Sequence, residues 1–309
     1  MLIAGIDIGT LTCRLLVAHV EPPHVFREMD ADRRILRLGE GVDSQKKLSE
    51  AAMMRVLDVL KEWKTKLAAY PVEAVVIVAT SAVRDASNRR EFIERVSESV
   101  GWQIELLSGE EEARRTLLGI RFGLPQDITE FLAVDIGGGS SEIIRFGCDH
   151  SQEDISLDLG VVRLTDRMLA HDPPTGQELA AAEEEILGHL EQAKQHLTQP
   201  WPRTLVGTAG TITTLAAMDQ GLTRYVSAKV HNSVLTLETV RRLEADMVSK
   251  ASAQRLGMPG LEPGREQVIV AGTLILRKTM EHFGYDRCLV SDYGLREGVL
   301  VDLANRRAG

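Results

Sequence analysis

Aromatic residues make up only 4% of this 309-residue chain, too few for the rows of stacking platforms that hold single-stranded nucleic acids. Positive charge is not in excess either. The formal net charge is −9, a poor global match to a polyanion. The three cysteines, Cys13, Cys148 and Cys288, are far apart and form no CxxC. That argues against a disulfide framework or a zinc site and fits a reducing cytosol. The eight histidines show no metal-ligand spacing, and His189 and His196 are simply two turns apart on an expected helix. No apolar run approaches the ~20 residues needed to span a bilayer. The opening MLIAGIDIGT lacks a basic flank and reaches Asp7 too soon for a signal peptide. The expectation is a soluble, cytoplasmic protein with neither membrane nor nucleic acid among its partners.

What is present is ordinary globular composition, 44% hydrophobic and 26% charged, in a chain long enough for two domains. The charge is uneven. Residues 1–127 hold 18 Lys and Arg against 20 Asp and Glu, so most of the negative excess lies beyond them. Arginines cluster at Arg33, Arg34 and Arg37, at Arg84, Arg89 and Arg90, and at Arg114, Arg115 and Arg121. Local basic patches of this kind can attract an anion to an acidic protein, although most of these arginines also suit solvated helix faces.

Along the chain, residues 2–8 read as a buried strand, with Leu15–Val20 as its hairpin partner after a turn at Gly9-Thr10. Met53, Val56, Leu60, Trp63 and Leu67 share one face of a helix over 50–68 that begins near Ser49. Ala74–Ala79 is a continuous apolar run suited to a sheet covered on both faces. Asn88-x-x-Glu91 resembles a capping box opening a helix to about Val100. Ile104–Leu107 reads as a strand and Glu110–Phe122 as a helix, acids first and arginines after, as the helix dipole favours. The break at Gly123-Leu124-Pro125 suggests domains of 1–126 and 127–309, with a final helix that packs back on the first domain as the alternative. A second cycle then begins with strands at Phe131–Val134, Glu142–Phe146 and Ile155–Leu159. A long amphipathic helix carries Leu179, Ala182, Ile186, Leu190, Ala193 and Leu197. A short strand at Arg203–Val206 runs into a helix from Ile212. The remainder is mostly helical, with a strand at Cys288–Ser291 before a final helix. Alternating strands and helices make the fold class α/β.

The pattern repeats internally. Asp7-Ile8-Gly9-Thr10 and Asp135-Ile136-Gly137-Gly138 each follow one apolar strand and precede another, 128 residues apart. An acid and glycines at a hairpin tip let backbone N–H groups line a concavity, a natural anion cradle. One such tip is usually only a turn; two copies one domain apart point to a pair of phosphate loops. In the second copy Gly137, Gly138 and Gly139 run together, Ser140 and Ser141 offer hydroxyls, and Asp135 and Glu142 bracket the loop as hard oxygen donors suited to Mg²⁺. Gly207-Thr208-Ala209-Gly210-Thr211 lies between a strand and a helix, where amides bind anions readily, and nominates Gly207, Gly210 and Thr211. Ser108-Gly109-Glu110-Glu111-Glu112-Ala113-Arg114 either places acids at a helix start for the dipole or supplies a carboxylate that orients an attacking water. Thr80, Ser81 and Arg84 follow the buried strand, where open α/β sheets meet their ligands.

Taken in order, ATSAVRDASN, SGEEEAR, VDIGGGSSE, SLDLGVVRLT, GTAGTITTLAA and SDYGLREGVL resemble the exopolyphosphatase and guanosine pentaphosphate phosphohydrolase family of the actin-like ATPase superfamily. The resemblance spans essentially the whole chain. It implies two actin-like (ribonuclease H-like) domains with an active-site cleft between them. It also implies Mg²⁺-dependent removal of the terminal phosphate from inorganic polyphosphate or guanosine pentaphosphate. Matched motif by motif, Glu112 is catalytic, with Glu111 as its alternative, and Asp135 and Glu142 are metal and catalytic residues. Arg84 contacts phosphate, and Glu112 joins the metal set. Asp7, Gly9 and Thr10 belong to the first phosphate loop. There Leu11 departs from the asparagine usual in relatives, which opens the alternative of a guanosine tetra- or pentaphosphate sensor with little turnover. Longer relatives append helical domains, one of the HD type. A chain without them is expected to prefer short polyphosphate or a nucleotide, and to form a homodimer.

Overall fold

The computed structural model describes residues 1–22 and 25–308. Its contacts divide the chain into two compact units, Met1–Phe122 with Tyr293–Gly309, and Gly123–Asp292.

In the first unit, β1 (Leu2–Ile8), β2 (Thr12–Glu21) and β3 (Val25–Ile35) form an antiparallel meander. They are followed by α1 (Val42–Gln45), α2 (Glu50–Leu67), β4 (Ala74–Ala79), α3 (Ser81–Asp85), α4 (Arg89–Val100), β5 (Ile104–Leu106) and α5 (Gly109–Gly123). The sheet order is β3-β2-β1-β4-β5, with β4 parallel to β1 and β5 parallel to β4. Its central strand buries both faces, which is why β1 is apolar from Leu2 to Ile6. Ala4, Ile6 and Ile8 pack with Met53, Leu60 and Trp63 of α2 and Phe92 and Val96 of α4. The alternate residue Ile3 faces the other way.

The second unit repeats the plan. Its elements are β6 (Phe131–Ile136), β7 (Ser141–Phe146), β8 (Gln152–Leu157), α6 (Val161–Met168), α7 (Gly176–His196), β9 (Leu205–Thr208), α8 (Ala209–Asp219), α9 (Ser227–Val230), β10 (Val234–Thr236), α10 (Leu237–Val248), α11 (Ser252–Arg255), α12 (Ile269–Phe283) and β11 (Arg287–Val290). The strands lie in the order β10-β11-β9-β6-β7-β8, again a three-strand meander, joined through its first strand, β6, to the parallel strands β9 and β11. Helix α13 (Leu295–Ala308) returns to the first unit. There Leu300 and Ala304 cover Ile3, Leu16, Ala18 and Val20 on the face of the sheet opposite α2. Glycines let α13 lie against α5. A Cβ at Gly119 would stand 1.9 Å from the Gly294 carbonyl oxygen, and one at Gly298 would stand 1.7 Å from that of Arg115.

Several local expectations need correction. The helix at Arg89–Val100 is present, but Asn88 makes no side-chain cap. Its amide instead bonds both the N–H and the carbonyl of Leu48, and Glu91 pairs with Arg95. The two backbone groups of the buried Leu48 have taken the capping side chain. The first hairpin turns on Thr10-Leu11 rather than Gly9-Thr10, because the Gly9 N–H donates to the Thr12 carbonyl at 2.9 Å. Its second strand is correspondingly longer than Leu15–Val20. Ser81–Asp85, just after the buried strand, is a short helix.

Candidate active site

The loop Gly137–Ser140 closes the β6–β7 hairpin, with the Gly137 N–H donating to the Ser140 carbonyl at 3.0 Å. Helix α6 has no side-chain cap, so its first N–H groups need other acceptors. The loop provides them. Val161 donates to Gly137 O at 3.0 Å and Val162 to Gly138 O at 2.8 Å, and the Arg163 Nε–H donates to Gly139 O at 2.8 Å. A trans peptide places its N–H opposite its C=O. With three successive carbonyls drawn toward α6, the N–H groups of Gly138, Gly139 and Ser140 face away from it as an anion-binding nest. This approach requires glycine at 160, where a Cβ would stand 2.4 Å from Gly138 O.

The first hairpin is likewise braced by main-chain hydrogen bonds. Gly39 N–H donates to Thr10 O at 2.8 Å, and the N–H groups of Leu36 and Arg37 both donate to Leu11 O at 2.9 Å. The N–H groups of Leu11 and Thr12 are thereby turned outward. Leu11 itself is buried, and the shape of this loop rests on its carbonyl rather than on its side chain.

The two hairpins differ in charge. In the first, Asp7 lies directly opposite Arg14. In the second, Asp135 lies directly opposite Glu142, and both are buried, at 8% and 1% exposure. Glu142 accepts a hydrogen bond from Ser156 Oγ at 2.8 Å, and Asp135 sits beside Thr208 across the parallel β6–β9 pair. Opposed like charges destabilise a strand pair, and a cation between them removes that cost. Two buried carboxylates leave most of an octahedral Mg²⁺ shell to water and phosphate oxygens, the usual arrangement for that ion. Among the described residues no group of three or more His, Cys, Asp and Glu side chains is placed to hold a metal.

In the first unit, Ser108 accepts from Glu111 N–H and opens α5, which sets Glu110, Glu111 and Glu112 in its first turn. The three glutamates part ways there. Glu111 is half exposed and bonded to Arg114, whose guanidinium holds its carboxyl below the usual range. Glu112 is buried, and its Oε2 accepts from Arg84 at 3.1 Å. Arg84, on α3, also donates to Leu107 O at 3.0 Å. The carboxylate and guanidinium nominated from separate motifs therefore form one unit, and Glu112 rather than Glu111 belongs to it.

The segment Gly207–Thr211 divides between packing and binding. Gly207 lies inside β9, where a Cβ would meet Ile212 and Cys288, and Thr211 packs its side chain against Gly272 of α12. Gly207 lies within the ladder, paired with Val134 of β6 and Val290 of β11. Ala209 takes a left-handed φ of 70° at the junction of β9 and α8, a conformation uncommon outside glycine. Arg265, unremarked in the sequence, lays its buried guanidinium over Gly210 in the first turn of α8 and is anchored through Nε to Glu262 at 2.7 Å. Ser141 is also reassigned. Its hydroxyl donates to Leu159 O, so its one proton holds the β7 end of the loop and is not offered to a ligand. Arg163 was likewise missed, since its only sequence signal was its place in SLDLGVVRLT.

The Ppx/GppA phosphatase family profile matches residues 16–307. Exopolyphosphatase 2 of Mycobacterium tuberculosis is 33% identical over 314 residues, covering 98% of each chain. The crystal structure of the Aquifex aeolicus member of the Ppx/GppA family superposes with a TM-score of 0.83 at 36% identity, covering 100% of this chain and 99% of that one. An exopolyphosphatase from Cytophaga hutchinsonii gives 0.91 at 28%, covering 99% and 98%. These likenesses give the two α/β units the actin-like fold expected from the sequence. Among the described residues no helix is long and apolar enough to cross a membrane.

Proposed function

The chain belongs to the Ppx/GppA phosphatase family, and from that premise we propose that it is a Mg²⁺-dependent phosphoanhydride hydrolase. Its substrate is the terminal phosphate of inorganic polyphosphate, short chains above all, or of guanosine pentaphosphate. The observation that carries this reading is Asp135 set opposite Glu142 beside the amide nest at Gly138–Ser140. The nest suits phosphate oxygens, and the two carboxylates suit the cation that accompanies them.

In this reading the amides of the second hairpin hold the phosphate oxygens. Asp135 and Glu142 hold the cation, which supplies charge neutralisation on the transferring group. Glu112 orients the attacking water and Arg84 balances the charge that develops. Phosphoryl transfer through a loose transition state needs positioning more than a strong base, so an ionised glutamate held by an arginine suffices. The sensor alternative drew on Leu11. Because the carbonyl of Leu11 is held by two backbone donors, the first loop keeps its form without the asparagine, which favours turnover.

The test is phosphate release, with Mg²⁺, from short polyphosphate, long polyphosphate and guanosine pentaphosphate in parallel, with Glu112→Gln as control. Release abolished by the substitution supports the hydrolase, and the ranking names the substrate. Tight guanosine tetraphosphate binding without release from any of the three would replace it with the sensor.

A further inference from the structure

Arg163 is 7% exposed, and its guanidinium lies directly behind the second hairpin loop. Its Nε–H donates to Gly139 O at 2.8 Å, while Nη2 stands 3.6 Å from the exposed carboxylate of Asp158. The two carbonyls before it, of Gly137 and Gly138, are held by backbone N–H groups of α6. The Gly139–Ser140 peptide is thus held by a side chain, whereas the two before it are met by backbone donors. We propose that Arg163 is a positioning residue for phosphate transfer, fixing this peptide so that the Ser140 N–H meets a phosphate oxygen. The proposal rests on the hydrolase reading. Arg163 touches no substrate itself. It acts through a peptide plane, because rotation of that plane carries carbonyl and N–H together. The side chain here makes the last donor of the nest sensitive to one substitution.

The experiment compares kcat and KM for phosphate release from tripolyphosphate in wild type, Arg163→Met, Arg163→Lys and Arg163→Ala, at least 10 °C below each melting temperature. Loss of one well-placed donor at a developing charge costs about 10²–10³ in kcat. A donor misplaced but still present should cost about 10-fold or more. The expected result is a kcat loss of that size in folded Arg163→Met, KM changing less, with partial recovery of Arg163→Ala by added methylguanidine. Unchanged kcat and KM in folded Arg163→Met would overturn the proposal and leave Arg163 a packing residue. If Arg163→Met and Arg163→Ala fail to fold, Arg163→Lys decides on the same criterion. If wild type itself releases no phosphate, the hydrolase reading fails separately. Pyrophosphate binding by calorimetry then decides: weakening in Arg163→Met supports the positioning role, and equal affinity sinks it.

Discussion

Arg84 donates from a single guanidinium nitrogen to Glu112 Oε2 at 3.1 Å and to the Leu107 carbonyl at 3.0 Å. One residue therefore fixes a buried carboxylate relative to the end of a neighbouring strand. Glu112→Gln keeps the shape and the hydrogen bond but removes the charge. Its kcat for phosphate release should fall by at least ~10², with the melting temperature little changed. Arg84→Met should lower both, since it leaves Glu112 buried without its cation. Steady-state kinetics with thermal melts on the same samples separates the two effects.

Asp135 and Glu142 make opposite predictions with and without the cation. In EDTA, Asp135→Asn relieves an opposed like-charge pair, so it should melt no lower than wild type. Added Mg²⁺ should raise the melting temperature of wild type by mass action and leave that of the variant almost unmoved. A wild type indifferent to Mg²⁺ would remove the pair as a cation site.

The α5–α13 crossing admits no side chain. Gly298→Val would drive atoms into the Arg115 carbonyl. It should cost at least the ~1–3 kcal/mol typical of overpacking, read as a lower urea midpoint at unchanged slope.

Glu178 is one acid-sensitive group. Its carboxyl accepts from Thr175 N–H and also from the His171 ring and the N–H groups of Ala170 and His171, which hold its pKa down to about 2. A depressed carboxyl stabilises the fold above its unfolded value of ~4.3 and loses that contribution as pH falls through the folded one. Glu178→Gln should therefore be less stable than wild type at pH 7, and the difference should close between about pH 4 and pH 2 in urea titrations.

Much of this was legible in the sequence because the informative signals were local. Ala74–Ala79 is a strand at its expected limits, since a strand covered on both faces announces itself by composition alone. Ser49 caps α2 where the hydrophobic stripe begins. The repeat of acid and glycine located both hairpins. What escaped was set by partners distant in the chain. Strand β3 is an edge, rich in Arg, Asp and Glu, and its pairing with β2 rather than its own alternation makes it a strand. Ser141 and Thr211 looked like phosphate donors because a hydroxyl beside glycines always does. Their direction was decided by Leu159 and Gly272, which no local pattern reveals. Arg265 and Arg163 were invisible for the same reason, as each acts on a loop far from it in sequence.

In the proposed reading, the nest at Gly138–Ser140 lets an acidic protein grip a polyanion. Peptide amides offer partial charge at contact distance and leave the formal charge of the protein untouched. A cationic groove acts by displacing counterions from its ligand, and its affinity falls steeply with added salt. Recognition centred on amides displaces few, so the grip on a terminal phosphate should have a shallow salt slope, set mainly by the few arginines that touch the substrate.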